Sequence, residues 1–453
     1  MSETSEDTIV SNMHDDLRQA IDVHFDETVE TLTELVRIPS VSATPDTACD
    51  VRRSADAVLA LMVKHGFSNA EILEVEGSHP AVFGEISAPD GAPTILLYAH
   101  HDVQPVGVGW TTNAFDPQEI DGRLTGRGSA DNKAGVVTHL AAVQAHNGKP
   151  PVGVKLFIEG EEEVGSAHLV EFLDRYGDQL AADVIVIADS GNWRVGVPSL
   201  TTSLRGLVDC EVEVRVLVSG QHSGMLGGAF PDALMTMSRL LATLHDKAGN
   251  VAIPGLVSFD SPPLDLIEEE LRRVAGAVEG LEIIGDGSLT SKIWSQPACS
   301  ILAIDAPRTD EAINAIVPSA KAKISLRLAP GDAPTRAMAA MVAHLESNVS
   351  WGAEVTITPG AMADAYQLDT MDPAYDAYRT AFAEAWGCEA VEMGVGGSIP
   401  FVAAFSERYP DATILLTGVA DPTSNIHGPD ESVSLNDLKK ACLAEAIALR
   451  LLQ

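Results

Sequence analysis

The chain has 453 residues, 45% hydrophobic and 21% charged, which is long enough for two or three globular domains. Its formal net charge of −36 argues against nucleic acid and membrane partners, because phosphates and anionic lipids would repel it at long range. The five cysteines have no CxxC spacing, which argues against a disulfide framework or a thiolate zinc site.

The N-terminal part of the sequence predicts helices. MSETSEDTIVSNMHDD is acidic and lacks the basic and apolar regions of a secretory signal, which predicts a cytoplasmic location. Residues 15–36 follow, with apolar side chains at steps of three or four among acidic ones, so we predict an amphipathic helix. A second helix of this kind is predicted over residues 51–65.

Four short apolar runs predict buried strands. They are TILLY (94–98), VKLFI (154–158), DVIVI (183–187) and TILL (413–416). Helical segments over residues 134–145 and 166–173 lie between the first three. Continuous apolar strands that alternate with helices predict an α/β fold, in which a mostly parallel sheet is sandwiched by helices.

The hydrophobic pattern of the sequence changes at about residue 204, since the predicted strands beyond it alternate polar and apolar residues. The three strands are DCEVEVRVLV, KAKISLRLAP and AEVTITPG. Predicted helices over residues 231–245 and 334–346 lie between them. We therefore predict an α+β domain, residues 205–365, inserted into a first domain made of residues 1–204 and 366–453.

Residue types that bind metals follow each of the four apolar strands. They are His100, His101 and Asp102 after TILLY, EGEEE (159–163) after VKLFI, Asp189 after DVIVI, and His427 in the loop after TILL. A lone histidine after a strand is usually a hydrogen-bonded surface residue. Because parallel strands end at one edge of a sheet, however, we expect these side chains to converge. Imidazoles and carboxylates without thiolate suit Zn²⁺, Mn²⁺ or Co²⁺.

Two glycine-rich segments indicate which ligands the chain does not take. GRGSADNKAG (126–135) lacks the GxxxxGK[ST] order of a phosphate loop, and its Asp131 would face the phosphate, so a metal suits it better. GVGGS (394–398) lacks the GxGxxG order of a dinucleotide site. Its main-chain amides precede a predicted helix and are suited to a substrate carboxylate.

Together these motifs resemble the dinuclear metallopeptidases that include carnosinase-type dipeptidases, aminoacylase, glutamate carboxypeptidase and succinyl-diaminopimelate desuccinylase. The matching segments, in chain order, are AHHDVQP, GRGSADNKAG, EGEEEVGS, ADSGNW, GQHSGMLGG, SLRLAP, GGSIP and NIHGP. SLTTSLRG and GGSIP favour the dipeptidase branch. The resemblance implies a zinc-peptidase-like catalytic domain, an inserted lid or dimerisation domain, and a homodimer.

The resemblance also implies two divalent metal ions per subunit, with zinc as the first expectation and manganese or cobalt as alternatives. The implied ligands are His100 and Asp189 for one ion, Glu163 and His427 for the other, and Asp131 as a bridge. The family has a cis peptide bond after this aspartate, and Asn132 stands where many relatives have a second Asp. His101 is not expected to be a ligand.

Further roles come from the same resemblance. The implied catalytic residues are Glu162 as general base and then acid, Asp102 as the group that orients the site, and His222 as the group that binds the carbonyl oxygen. The implied substrate-binding residues are Arg327, Gly397, Ser398 and Asn314, the first of which grips the free carboxylate. Glu159 and Glu161 are expected to support the site from outside the ligand set or to be solvated.

We therefore expect metal-dependent hydrolysis of dipeptides or short peptides that bear a free C-terminal carboxylate. An acyl-amino-acid deacylase, such as a desuccinylase-like amidohydrolase, is the alternative with the same metals. A metal-binding scaffold without catalysis is the alternative of another class. The presence of Glu162, Asp102, His222 and Arg327 argues against that scaffold.

Overall fold

A computed structural model describes residues 14–397 and 399–453, so the predicted substrate contact of Ser398 lies outside the described residues. The helices are α1 (Asp15–Val36), α2 (Ala48–Lys64), α3 (Lys133–Ala145), α4 (Leu169–Leu180), α5 (Ser223–Leu226), α6 (Ala233–Ala242), α7 (Glu268–Ala275), α8 (Pro334–Asn348), α9 (Pro373–Trp386), α10 (Pro400–Arg408) and α11 (Leu435–Leu451). Shorter helical turns are Pro45–Thr47, Glu162–Val164 and Ser291–Ser295.

The strands complete the secondary structure. They are β1 (Glu71–Leu73), β2 (Ala81–Ile86), β3 (Thr94–His100), β4 (Gln118–Ile120), β5 (Arg123–Thr125), β6 (Gly153–Glu159), β7 (Val184–Ile187), β8 (Ser199–Leu204), β9 (Gly206–Arg215), β10 (Gln221–His222), β11 (Ala298–Asp305), β12 (Ala315–Ile316), β13 (Ser319–Leu328), β14 (Glu354–Ala363), β15 (Tyr366–Gln367), β16 (Val391–Val395), β17 (Thr413–Leu416) and β18 (Ser432–Ser434). They belong to two compact units: Met1–Thr202 with Leu368–Met393 and Pro400–Gln453, and Ser203–Gln367 with Gly394–Ile399.

The first unit is built on a mainly parallel sheet. Strands β6, β3, β7 and β17 lie side by side in that order and run parallel, with β2 antiparallel to β6 and β8 antiparallel to β17. All residues of β6 and β7 are buried, as expected for strands covered on both faces. The predicted α/β fold with a mostly parallel sheet is therefore confirmed.

Helix α3 is the central helix of this unit, because almost all of its residues are buried and most of them are apolar. It packs on β3 and is contacted by α1 and α11. A helix that is buried on all sides is enclosed by its neighbours, and the amphipathic helix α1 supplies one of the faces that enclose it. The start of α3 is thereby fixed at the edge of the sheet where β3 ends.

The second unit has a four-stranded antiparallel sheet in the order β11-β13-β9-β14. Along β13, buried apolar residues alternate with polar ones, and α6 and α8 pack against the sheet. The predicted period-two strands are confirmed, as is the α+β character of the inserted part. Among the helices of the described residues, none combines the length and the apolar character needed to cross a membrane.

The parallel sheet provides a stability test at Leu97. This fully buried residue lies in β3 and is paired with Leu156 of β6 and Val186 of β7. Replacement by alanine removes apolar contacts and leaves a cavity, so we expect Leu97→Ala to lower the free energy of unfolding by about 2–5 kcal/mol. Urea denaturation measures the change. Val63→Ala, at an exposed site in α2, is the control and is expected to cost less than about 0.5 kcal/mol; equal losses would contradict the packing described.

Candidate metal centre

The five predicted metal ligands lie together at the carboxyl edge of the parallel sheet in the first unit. His100 Nε2 lies 3.0 Å from Asp131 Oδ1 and 3.5 Å from Asp189 Oδ1. His427 Nε2 lies 3.1 Å from Asp131 Oδ2 and 3.1 Å from Glu163 Oε2. The two carboxylate oxygens of Asp131 therefore face two different imidazoles, which is the arrangement a bridging ligand requires.

The donor set of this cluster fits divalent metal ions. Ligand atoms of His100, Asp131 and Glu163 lie within 4.8 Å of one another, and so do those of His100, Glu162 and Asp189. Only nitrogen and oxygen donors are present in these groups, which suits zinc, manganese or cobalt. Because four carboxylates share two imidazoles, the cluster has an excess of negative charge that bound cations would offset.

The pKa values of the cluster report the same excess. Burial, followed by the negative charge of Asp189, raises the pKa of Glu162 to about 9. Hydrogen bonds with Asp131 and Glu163 raise the pKa of His427 to about 10. Both groups therefore hold their protons to a higher pH than usual, and binding of cations to the cluster would displace those protons.

Asp102 connects His100 to the turn that carries Glu162 and Glu163. His100 Nδ1 lies 3.1 Å from the main-chain oxygen of Asp102 and 3.4 Å from its Oδ1, so Nδ1 can donate and leave Nε2 free to bind an ion. The carboxylate of Asp102 also accepts the main-chain N–H groups of Glu162 at 3.2 Å and Glu163 at 3.1 Å. One buried side chain therefore orients an imidazole and holds the turn that carries two glutamates.

The glutamate run after β6 divides into distinct environments. Gln104 donates its main-chain and side-chain N–H groups to the carboxylate of Glu163 at 3.2 and 2.8 Å. Glu161 is buried and accepts the main-chain N–H groups of His79 at 3.1 Å and His168 at 2.8 Å, so it supports the turn and is not solvated. Glu159 is also buried and accepts the Tyr98 hydroxyl at 2.7 Å. Burial raises the pKa of Glu159 to about 8.

Asn132 stands where many relatives have a second aspartate, and its side-chain amide makes two hydrogen bonds beside the cluster. The Asp131–Asn132 peptide bond is cis, as the resemblance implies. The side-chain oxygen of Asn132 accepts the Gly135 N–H at 3.1 Å and caps α3, while its Nδ2 donates to Asp189 Oδ1 at 2.9 Å. A carboxylate could not donate to Asp189, so the amide supports a predicted ligand.

Two residues that were not predicted from the sequence, Arg127 and Glu431, lie buried beside the cluster. Arg127 Nη1 donates to Glu431 Oε2 at 2.6 Å. Glu431 Oε1 accepts the main-chain N–H of Asp131 at 3.0 Å. The only sequence signal is position, since Arg127 stands within the GRGSADNKAG segment and Glu431 four residues after His427.

The other predicted site residues lie in the second unit. His222, at the end of β10, pairs with Ala315 of β12, and the N–H of Ser223 donates to the main-chain oxygen of Asn314 at 3.1 Å. His222 Nδ1 accepts the Gly224 N–H at 3.1 Å, so the ring proton is on Nε2 when the imidazole is neutral. Arg327 lies in β13, opposite Leu207 of β9, and Gly397 belongs to the same unit.

Comparison with known proteins identifies the family. Residues 96–450 match the model of peptidase family M20/M25/M40. The chain is 32% identical over 428 residues to the cysteinylglycine-S-conjugate dipeptidase of Corynebacterium striatum, covering 92% of this chain and 93% of that protein. It is 29% identical over 437 residues to the human Beta-Ala-His dipeptidase, covering 88% and 85%.

A solved structure agrees with these sequence matches. The crystal structure of human carnosine dipeptidase 1 superposes with a TM-score of 0.76 at 27% identity, covering 96% of this chain and 98% of that one. The family match spans most of the sequence, including every proposed metal ligand. The chain therefore belongs to peptidase family M20/M25/M40 and is a metallopeptidase.

Proposed function

We propose that the protein hydrolyses dipeptides or short peptides that bear a free C-terminal carboxylate. The observation that carries this proposal is Asp131, whose two oxygens face the two imidazoles His100 and His427 with Glu162 alongside. A peptide bond is hydrolysed readily where a carbonyl can be polarised and a carboxylate stands ready to transfer a proton. The similarity to proteins named dipeptidases supports the substrate class.

The metal-binding residues in this proposal are those predicted from the sequence. His100 and Asp189 would hold one divalent ion, Glu163 and His427 the other, and Asp131 both. Zinc is the first expectation, with manganese or cobalt as alternatives, because the donors are imidazoles and carboxylates. When bound, such ions supply Lewis acidity toward a carbonyl oxygen and lower the pKa of water.

Glu162 is the proposed proton carrier. Its carboxylate would accept a proton from the attacking water and deliver it to the leaving amine. Burial and neighbouring carboxylates favour its protonated form, whereas the charge of bound ions would favour the ionised form, so its pKa is set between two opposing effects. Asp102 would keep His100 oriented and hold the main chain of Glu162 during both steps.

The proposal assigns substrate binding to residues of the second unit. His222, whose Nδ1 is occupied by the Gly224 N–H, would donate its Nε2 proton to the carbonyl oxygen. Arg327 and Gly397 would bind the free carboxylate, as would Ser398, with Asn314 as a further substrate contact. A lid or dimerisation role for residues 205–365, a homodimer and a cytoplasmic location complete the proposal on the strength of the sequence.

A substrate panel tests the reaction class. We expect hydrolysis of unmodified dipeptides, little hydrolysis of N-succinyl or other N-acyl amino acids, and loss of all turnover in chelator. A deacylase is not favoured by the dipeptidase relatives, and turnover of N-acyl amino acids alone would replace the proposed function with that alternative. Amine release measured at fixed metal concentration gives kcat/KM for each substrate.

The carboxylate preference is tested on Arg327. Arg327→Met is expected to raise KM for a dipeptide about 10- to 100-fold and to have little effect on its C-terminal amide, because one charge-assisted contact is lost. Arg215→Met, on the exposed end of neighbouring β9, is the matched control and should change neither constant. An unchanged ratio between acid and amide in Arg327→Met would remove Arg327 from the proposal.

Glu162→Gln separates proton transfer from metal binding. We expect kcat to fall about 10²- to 10⁴-fold, because general base catalysis is lost while the ligand set is kept. Metal analysis and steady-state kinetics measure the two effects on the same preparation. Glu171→Gln, in the exposed part of α4, is the control and should retain full activity. Full turnover of Glu162→Gln would contradict the assignment of Glu162 as the proton carrier.

Metal binding is expected to release protons. Without bound ions, the raised pKa values keep His427 and Glu162 protonated at pH 7, so cations must displace these protons. Affinity for zinc should therefore rise as the pH increases from about 6 to 9, by about tenfold per pH unit for each proton displaced. Titration calorimetry in buffers of different ionisation enthalpy counts the protons. His427→Gln should release about one proton fewer; equal release would contradict the assignment.

A further inference from the structure

We propose that Glu431 is a positioning residue that fixes the loop of Asp131 relative to the loop of His427. It thereby sets the affinity of the site for the ion that Glu163 and His427 would hold, called the second ion below. Glu431 supplies no donor atom to an ion in this proposal. It acts through hydrogen bonds to the main chain of the Asp131 loop and through Arg127, which also contacts the main chain next to His427. The inference rests on the proposed assignment of Asp131, Glu163 and His427 as ligands.

The first observation is how Glu431 binds the loop of Asp131. Its Oε1 accepts three main-chain N–H groups, from Gly128 at 3.1 Å, Ala130 at 3.0 Å and Asp131 at 3.0 Å. The main-chain oxygen of Glu431 also accepts the Gly126 N–H at 2.8 Å. A loop held by several hydrogen bonds to one buried carboxylate has a fixed path, so the direction of the Asp131 side chain is fixed with it.

The second observation is how Arg127 completes the link to the loop of His427. Its Nη1 donates to Glu431 Oε2 at 2.6 Å, and its Nη2 donates to the main-chain oxygen of Gly428 at 3.1 Å. Gly428 follows His427 directly. The planar guanidinium therefore joins a carboxylate that holds one loop to a carbonyl beside the ligand of the other.

The link between the two loops matters most for the position of His427, because its own loop gives this residue little support. The side chain of His427 is about half exposed, and its main chain has a φ of +61°, in the left-handed region that few residues other than glycine adopt. Asn425 and Asp430 in the same loop also have positive φ. Contacts with residues outside the loop, such as those that Gly428 and Glu431 make with Arg127, must then hold His427 within reach of Asp131.

The carboxylate of Glu431 is needed as well as its shape. A glutamine at this position keeps one acceptor for the three N–H groups, but its NH₂ group faces Arg127 Nη1, and two donors then oppose each other. A buried guanidinium without its carboxylate partner moves or recruits water. Both loops lose their common anchor in that case.

A neighbouring ion pair provides the matched control. Arg123 Nη2 lies 2.9 Å from Asp421 Oδ2, and the Asp421 side chain is buried. This pair also joins the chain near residue 125 to the segment that contains His427. The hydrogen bonds of this pair go to Thr423, Ser424 and Ser432, which are not proposed ligands, so Asp421→Asn reproduces the loss of a buried ion pair without the proposed positioning effect.

The experiment measures metal affinity in metal-free protein reconstituted with cobalt, followed by the visible absorption of bound Co²⁺. We expect Glu431→Gln to weaken binding of the second ion about 10- to 100-fold and to leave the first close to wild type. Glu431→Asp, which keeps the charge, should recover part of the affinity. Asp421→Asn should bind both ions as the wild type does, although its thermal unfolding temperature also falls.

If Glu431→Gln folds, two outcomes would overturn the proposal. They are wild-type affinity for both ions in Glu431→Gln, and an equal loss of affinity in Asp421→Asn. If Glu431→Gln does not fold, Arg127→Lys tests the same link, because lysine keeps the charge beside Glu431 but cannot also reach Gly428 through a fork; unchanged affinity there overturns it too. Binding is read without turnover, so a wild type that takes up two ions but hydrolyses no dipeptide refutes only the proposed substrate.

Discussion

The gathering of carboxylates at one buried edge of a sheet is the constraint on which the rest of the metal centre depends. Asp131, Glu162, Glu163 and Asp189 share two imidazoles, and each additional negative charge raises the cost of the next. Protonation of the cluster lowers part of this cost, in line with the raised pKa values of Glu162 and His427. Divalent ions would offset the negative charge more fully than protons do, and they would supply the Lewis acidity that a metallopeptidase uses.

Carboxylates outside the ligand set are stabilised in another way, by main-chain N–H groups. Asp102 accepts two from the turn of Glu162 and Glu163, Glu161 accepts two from His79 and His168, and Glu431 accepts three from the loop of Asp131. Each of these bonds stabilises a negative charge and fixes a loop at the same time. The negative charge that makes the cluster costly is therefore also what gives its loops a defined shape.

The sequence predicted the parts of the structure that depend on local pattern. Apolar runs located β3, β6, β7 and β17, and since these strands are parallel, residues that follow them had to meet at one edge. Strand β2 was not predicted, because Gly84 interrupts its apolar run. A Cβ at this position would lie 3.1 Å from side-chain atoms of Met62 and Phe67. Glu431 was not predicted because its partners, the Arg127 side chain and several main-chain N–H groups, lie about 300 residues away and leave no local pattern around it in the sequence.

That separation along the chain has a consequence for biosynthesis. His100, Asp131, Glu163 and Asp189 belong to the first half of the sequence, whereas His427 and Glu431 follow the whole of the second unit. During translation, the acidic edge emerges long before the imidazole and the carboxylate that complete it. A ribosome-bound chain would therefore lack part of the proposed ligand set until its last segment folds back, so full metal loading would have to wait for the C-terminal residues.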